Sequence, residues 1–179
     1  HVSGLGLTPG GEANVRNIQV GMIGCGVVGQ GVLRLIAENG ASIEGRLGSR
    51  IEVRRIAVRD PHAERGPYAG PGLVSTDVDG LLGDPAIDVV VEVMGGVEPA
   101  GSYVRRALEG GKPVVTANKA LLAERGHQLI ELAEGSGVDL YFEAAVAGGI
   151  PVIRVLREAL ASDRIVAVHG IVNGTSNYI

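Results

Sequence analysis

Val15-Arg16-Asn17-Ile18-Gln19-Val20-Gly21-Met22-Ile23-Gly24-Cys25-Gly26-Val27-Val28-Gly29 is the stretch whose reading decides the fold. Val15–Ile23 reads as a buried strand that runs straight into a G-x-G-x-x-G pattern. Gly24 permits a tight turn, Gly26 lets backbone approach a pyrophosphate, and Gly29 lets a helix pack close on the strand. The amides and dipole of a helix start favour phosphate. Helical spacing through Val28, Val32, Leu35 and Ile36 predicts a helix over Val27–Glu38, with Asn39-Gly40 as its stop. In this strand–loop–helix frame the pattern points to a dinucleotide; the plainer alternative is a purely structural turn.

Outward from this unit, strands and helices alternate. Strands are predicted at Ile51–Val58, Ile87–Met94, Pro113–Thr116, Val138–Glu143 and Ile165–Val172. Helices are predicted near Asp77–Leu82 and at Pro99–Glu109, Ala120–Glu134 and Pro151–Ala161, with mostly loop over residues 61–85. This order implies an α/β fold, a Rossmann-type doubly wound parallel sheet. Composition agrees: hydrophobic residues make up 45% of the 179 but aromatics only 3%, so Val, Ile, Leu and Ala must build the core. A net charge of −4 without long single-sign runs gives no sign of nucleic-acid or membrane binding. No apolar run approaches the roughly 20 residues that span a bilayer. A single cysteine excludes an intramolecular disulfide framework and fits a reducing cytoplasm.

In an open parallel sheet, ligands lie at the carboxyl ends of the strands. Arg59 and Asp60 end the second strand, where an acidic residue favours NAD and an arginine accommodates the 2′-phosphate of NADP. Arg54 and Arg55 add positive charge nearby and tilt the expectation to NADP. The plainer reading has Arg59 as a solvated strand end and Asp60 capping the turn before Pro61. Gly95-Gly96 ends another strand and allows cofactor contact. Lysine occurs only at Lys112 and Lys119, and Lys119 lies just past a strand's carboxyl end. There it can hold a phosphate, orient a nicotinamide or move a proton. Cys25 is expected to line the cofactor without acting as a nucleophile, because no base is evident. Glu92, inside a strand, is expected to be satisfied by its neighbours. His127 reads as a helix-surface residue and His169 as a strand residue, and no histidine spacing suits zinc.

Phe142-Glu-Ala-Ala-Val-Ala-Gly-Gly-Ile-Pro151 puts a lone carboxylate, Glu143, at the end of an apolar strand, before a paired-glycine bend. Read alone, Glu143 caps the helix that opens at Pro151.

Five segments together resemble homoserine dehydrogenase over about Ile18–Ile179: 23–29, 90–96, 116–122, 143–151 and 170–179. The last three, in that order, are the specific ones. The resemblance implies reversible NAD(P)-dependent interconversion of L-homoserine and L-aspartate 4-semialdehyde, in the synthesis of threonine, methionine and isoleucine. It implies that Cys25, Val27 and Val28 line the cofactor, that Arg59 lies near the 2′-phosphate, and that Lys119 contacts the nicotinamide end and the reacting region. It also implies a monovalent-cation site for sodium formed by Glu143, Val146, Gly148 and Ile150, and a homo-oligomer for the full-length enzyme.

The family's proton-donating lysine and substrate carboxylates match no position before Ile179. The expected organisation is therefore a flexible segment over 1–16, an NAD(P)-binding Rossmann domain over 17–145, and over 146–179 a junction and the start of a truncated substrate domain. Such a portion is expected to bind cofactor without turning over. A dehydrogenase of another small substrate, or a non-catalytic nucleotide-sensing module, are the competing readings.

Overall fold

A computed structural model describes residues 16–170. The expected N-terminal segment up to residue 15 and the stretch from Ile171 to Ile179 lie outside the described residues. Six strands follow in chain order, β1 (Ile18–Ile23), β2 (Ile51–Ala57), β3 (Val74–Ser75), β4 (Val89–Glu92), β5 (Val114–Thr116) and β6 (Leu140–Tyr141). The helices are α1 (Val27–Leu47), α2 (Val78–Gly83), α3 (Ala100–Glu109), α4 (Lys119–Ser136) and a single turn, α5 (Val152–Arg154). All strands are parallel, in the order β3-β2-β1-β4-β5-β6. The expected doubly wound sheet is what forms. The chain starts in the middle, winds outward to β3, then returns past β1 to build the other half. The reversal between β1 and β4 opens a crevice at the strands' carboxyl ends.

Side chains alternate across the sheet with period 2. Ile23, Ala57 and Val90 join Leu81, Val104, Leu108, Leu121 and Leu129 in the larger core, beneath α2, α3 and α4. Met22, Cys25, Ile56 and Leu33 form the smaller core beneath α1. Burial of these aliphatic side chains, each contributing about 1.5–3 kcal/mol, stabilises both layers, with Tyr103 and Phe142 packed partly buried against the larger core.

Three expectations are corrected. First, α1 does not stop at Asn39-Gly40 but runs on to Leu47. Ile36, Gly40 and Ile43 keep one half-buried face turned inward, and an interior glycine costs only about 1 kcal/mol. The stop is Gly48, at φ +73°, whose N–H donates to Glu44 O at 2.8 Å. Second, residues 165–170 form no strand. Val166 and Val168 are exposed there, and no described strand pairs with them; a strand has no intrinsic stability without a partner's hydrogen bonds. His169 is thus not a strand residue. Third, the predicted helix over Pro151–Ala161 is only the α5 turn continued by a wide π turn over Val155–Ala159, and it buries no residue. The two-residue β3 lay within the predicted loop; so short a strand has too little pattern to read.

Arg54 and Arg55 do not supply charge to the ligand edge. The β1–β2 register shifts between Val20 and Gly21, opposite Arg54. Such a bulge lets successive side chains leave on one side, and both guanidinium Nε atoms donate to Asp84 Oδ2 at 3.0 Å. The amide of Ala86 donates to Asp84 Oδ1 at 2.9 Å. That amide first, then the two arginines, hold the Asp84 carboxyl down to about 2. A carboxyl depressed below its unfolded value, about 3.9, stabilises the fold above that value and loses its contribution as pH falls toward 2. Asp84→Asn is expected to flatten the dependence of Tm on pH between about 4 and 2, measured by thermal melts across that range.

Candidate cofactor site

Gly24 follows β1 directly with φ +98°, a backbone that side chains rarely adopt. Its N–H donates to Ala57 O at 2.8 Å. A Cβ there would stand 2.7 Å from Met94 N. Gly29, one turn into α1, is held as tightly: a Cβ would meet Gly24 O at 2.9 Å. Gly26 is different. It is the N-cap of α1, no side chain caps that end, and nothing lies within 4 Å of where its Cβ would project. Two glycines of the pattern thus serve packing, and the third keeps a space open. The amides of the first helical turn have no intrahelical acceptor, so the open space lies beside a set of donors suited to an anion.

A cavity of about 810 Å³ occupies this edge. Gly24, Cys25, Gly26, Arg59 and Gly95 line it, as expected from the sequence, together with Asp60, Arg65, Met94 and Pro99. Val27, Val28, Gly29, Gly96 and Lys119 are at the same edge but do not line the cavity. Val27 and Val28 are exposed. Asp60 takes the capping role weighed for it, accepting from His62 N at 2.9 Å. Cys25 is buried; burial pushes its thiol up, and the nearby Arg65 guanidinium offsets part of that rise. The thiol stays protonated at neutral pH, as suits a lining residue rather than a nucleophile.

Glu92 is fully buried at the end of β4, and its neighbours do satisfy it. Thr116 Oγ1 donates to Oε2 at 2.6 Å, and the amides of Met94 and Gly95 donate to Oε1 at 2.9 and 3.3 Å. Asn118 Nδ2 reaches Oε1 at 3.4 Å and Gly96 O at 2.6 Å. Asn118 also caps α4, its Oδ1 accepting from Leu121 N at 3.1 Å. The carboxylate therefore ties the ends of β4 and β5 together and fixes the approach to Gly95-Gly96 and Lys119. Lys119 is exposed as the first residue of α4.

Glu143 lies in a 3-10 turn over Glu143–Ala145 rather than in a strand. Its two carboxylate oxygens accept from Ile153 N at 3.0 Å and Arg154 N at 2.7 Å. The capping reading of the sequence is realised. The bend that follows carries two successive left-handed residues, Ala147 at φ +54° and Gly148 at φ +61°.

A family model described as the NAD binding domain of homoserine dehydrogenase matches residues 24–143, and another, described as homoserine dehydrogenase, matches residues 151–179. The chain belongs to the homoserine dehydrogenase family. A homoserine dehydrogenase of Corynebacterium glutamicum is 48% identical over 162 residues, 90% of this chain and 36% of that protein. One from Mycobacterium tuberculosis is 47% identical over 171 residues, 96% of this chain and 38% of that protein. The crystal structure of the Thiobacillus denitrificans homoserine dehydrogenase superposes with a TM-score of 0.79 at 44% identity, over 84% of this chain and 35% of that one. A hyperthermophilic archaeal homoserine dehydrogenase in complex with NADPH gives a TM-score of 0.66 at 25% identity, over 82% of this chain and 50% of that one. The chain thus spans 36–38% of the length of these curated relatives.

The homoserine dehydrogenase NAD-binding domain therefore includes the glycine loop, the cavity and the Glu92 network, and its match ends at Glu143. Sequence reading missed Thr116, Asn118 and Arg65. Asn118 left a readable trace, an N-cap residue directly before a helical run. Thr116 left none, because its partner Glu92 is 24 residues away, and Arg65 left none, because its loop carries no periodic pattern. Glu92→Leu is expected to destabilise the chain by about 1–3 kcal/mol, since it removes the acceptor of the buried Thr116 hydroxyl and of the Met94 and Gly95 amides; Glu92→Gln, which keeps an acceptor, should cost less. Urea denaturation of the variants checks this.

Proposed function

We propose that this chain is the cofactor-binding part of an NAD(P)-dependent homoserine dehydrogenase that interconverts L-homoserine and L-aspartate 4-semialdehyde. The observation that carries the reading is the open, uncapped helix start at Gly26, facing an arginine-bearing cavity in a chain of this family. The residues present fit a dinucleotide. Gly26 leaves room for backbone to meet a pyrophosphate, and α1 offers free amides. When bound, the nicotinamide supplies or accepts the hydride. The chain's own part is to bind and orient. Gly24 and Gly29 set the loop, Glu92 and Asn118 set Gly95-Gly96, and Lys119 presents an ammonium where the nicotinamide end and the substrate meet.

NADP is the favoured cofactor in this reading, through Arg59 at the end of β2. It is an exposed arginine lining the cavity where the adenosine ribose of a dinucleotide falls. Synthesis of threonine, methionine and isoleucine, a cytoplasmic setting and a homo-oligomer for the full-length enzyme belong to the same proposal, on the strength of family membership. Titration of NADPH and NADH into wild type and Arg59→Ala tests the cofactor reading. NADPH affinity is expected to fall by about 1–3 kcal/mol, the worth of a charge-assisted bond, with NADH little changed. In the protein that carries this chain, homoserine-dependent reduction of NADP+ tests the activity.

A sodium site at Glu143, Val146, Gly148 and Ile150 is the second part of the proposal. One carboxylate plus three carbonyls is an all-oxygen donor set suited to a hard cation. What supports the reading is the tightness of the bend, where Val146 N donates to Glu143 O at 3.1 Å and Ile150 N to Ala147 O at 3.2 Å. Each Glu143 oxygen spends one lone pair on an amide and keeps another, so capping and ligation are compatible. Sodium is expected to raise the Tm above that in choline at equal ionic strength, and Glu143→Gln is expected to abolish that difference.

A further inference from the structure

Arg65 is the one cationic residue of the cavity that the sequence did not mark. It lies in the loop between β2 and β3, yet lines the same cavity as Arg59, Cys25 and Gly26. Its backbone setting is firm. Asp60 O accepts from Arg65 Nη2 at 2.6 Å, Ala63 O accepts from Nη1 at 2.8 Å, and the adjoining Gly66 amide donates to Gln30 Oε1 of α1 at 3.0 Å. The guanidinium is thus folded back against the glycine loop, close enough to Cys25 to act on its thiol. A guanidinium carries five N–H donors, of which two are spent on carbonyls. Nε is shielded from solvent and has no acceptor. Nη1 and Nη2 each keep one N–H beyond their carbonyl bonds.

We infer that Arg65 is a cofactor-specificity residue: with Arg59, it forms a two-guanidinium clasp for the phosphate monoester on the adenosine ribose of NADP. The inference rests on the dinucleotide reading above and adds a residue and a role to it. Arg59 approaches from the end of β2. Arg65 approaches from the loop between β2 and β3, and its carbonyl partners hold the fork in place before binding. A doubly charged monoester offers three acceptor oxygens, which a pair of planar forks can share. The pyrophosphate needs neither arginine, because the uncapped start of α1 serves it.

The test is calorimetric titration of NADPH, NADH, adenosine 2′-monophosphate and adenosine 5′-diphosphate into wild type, Arg65→Ala and Arg65→Lys, with melts confirming that each variant is folded. Arg65→Ala is expected to weaken NADPH and the 2′-monophosphate by about 10- to 100-fold. NADH and the 5′-diphosphate should move by less than about twofold, and Arg65→Lys, a point charge without the fork, should fall between. An equal loss for all four ligands, or a loss confined to the 5′-diphosphate and NADH, would overturn the assignment, as would an unchanged NADPH affinity. Should Arg65→Ala fail to fold, Arg65→Lys decides by the same ratio of NADPH to NADH. Wild type binding neither dinucleotide would instead sink the underlying cofactor reading.

Discussion

Three strand ends meet at Gly24, and that meeting governs the rest of the structure. The amide of Gly24 is bonded to the end of β2, and the place its side chain would fill is taken by the backbone at the end of β4. Only a residue without a Cβ, free to adopt a positive φ, lets β1 lie this close to both neighbours while its chain turns into α1. The sheet's reversal, the packing of Gly29 on the loop and the open space beside Gly26 all descend from this contact. A cavity formed this way has rigid walls of strand ends, with its polar groups supplied by the loops between them.

Glu92 is the counterpart of this junction on the other half of the sheet. A buried carboxylate is costly without a partner, and among the described residues no cation is bonded to it. Four hydrogen-bond donors from the loop after β4, from β5 and from the loop between β5 and α4 take that place. Their convergence makes the carboxylate an organiser of the loops around Gly95-Gly96 and Lys119. The two junctions divide the labour: Gly24 sets the edge beside the start of α1, and Glu92 sets the edge beside the start of α4.

Much of this was legible because the decisive signals are local. The β1–loop–α1 unit, four further strands and the placement of Arg59, Gly95 and Lys119 at one edge follow from periodicity and from the rule that parallel strands share a carboxyl end. Glu143 as a cap was legible for the same reason, since the amides that donate to it lie ten and eleven residues away in a short turn. The end of α1 was misread because Asn39-Gly40 looks like a stop, whereas the inward face through Ile43 outweighs it. Residues 165–170 were misread as strand because β-branched residues suit a strand but cannot form one without a partner.

The sequence by itself determined the fold class, the family and the edge at which a cofactor lies, because a pattern of glycines and alternating apolar runs acts over a few residues and leaves few topologies open. Only the tertiary structure decided what the charges do. Arg54 and Arg55 turned away to Asp84 through a bulge, Glu92 gathered donors from across the sheet, and Arg65 folded back from a loop onto Cys25. The physical reason is range: a charged side chain is placed by partners distant in sequence, and their proximity exists only once the sheet has closed its order around β1.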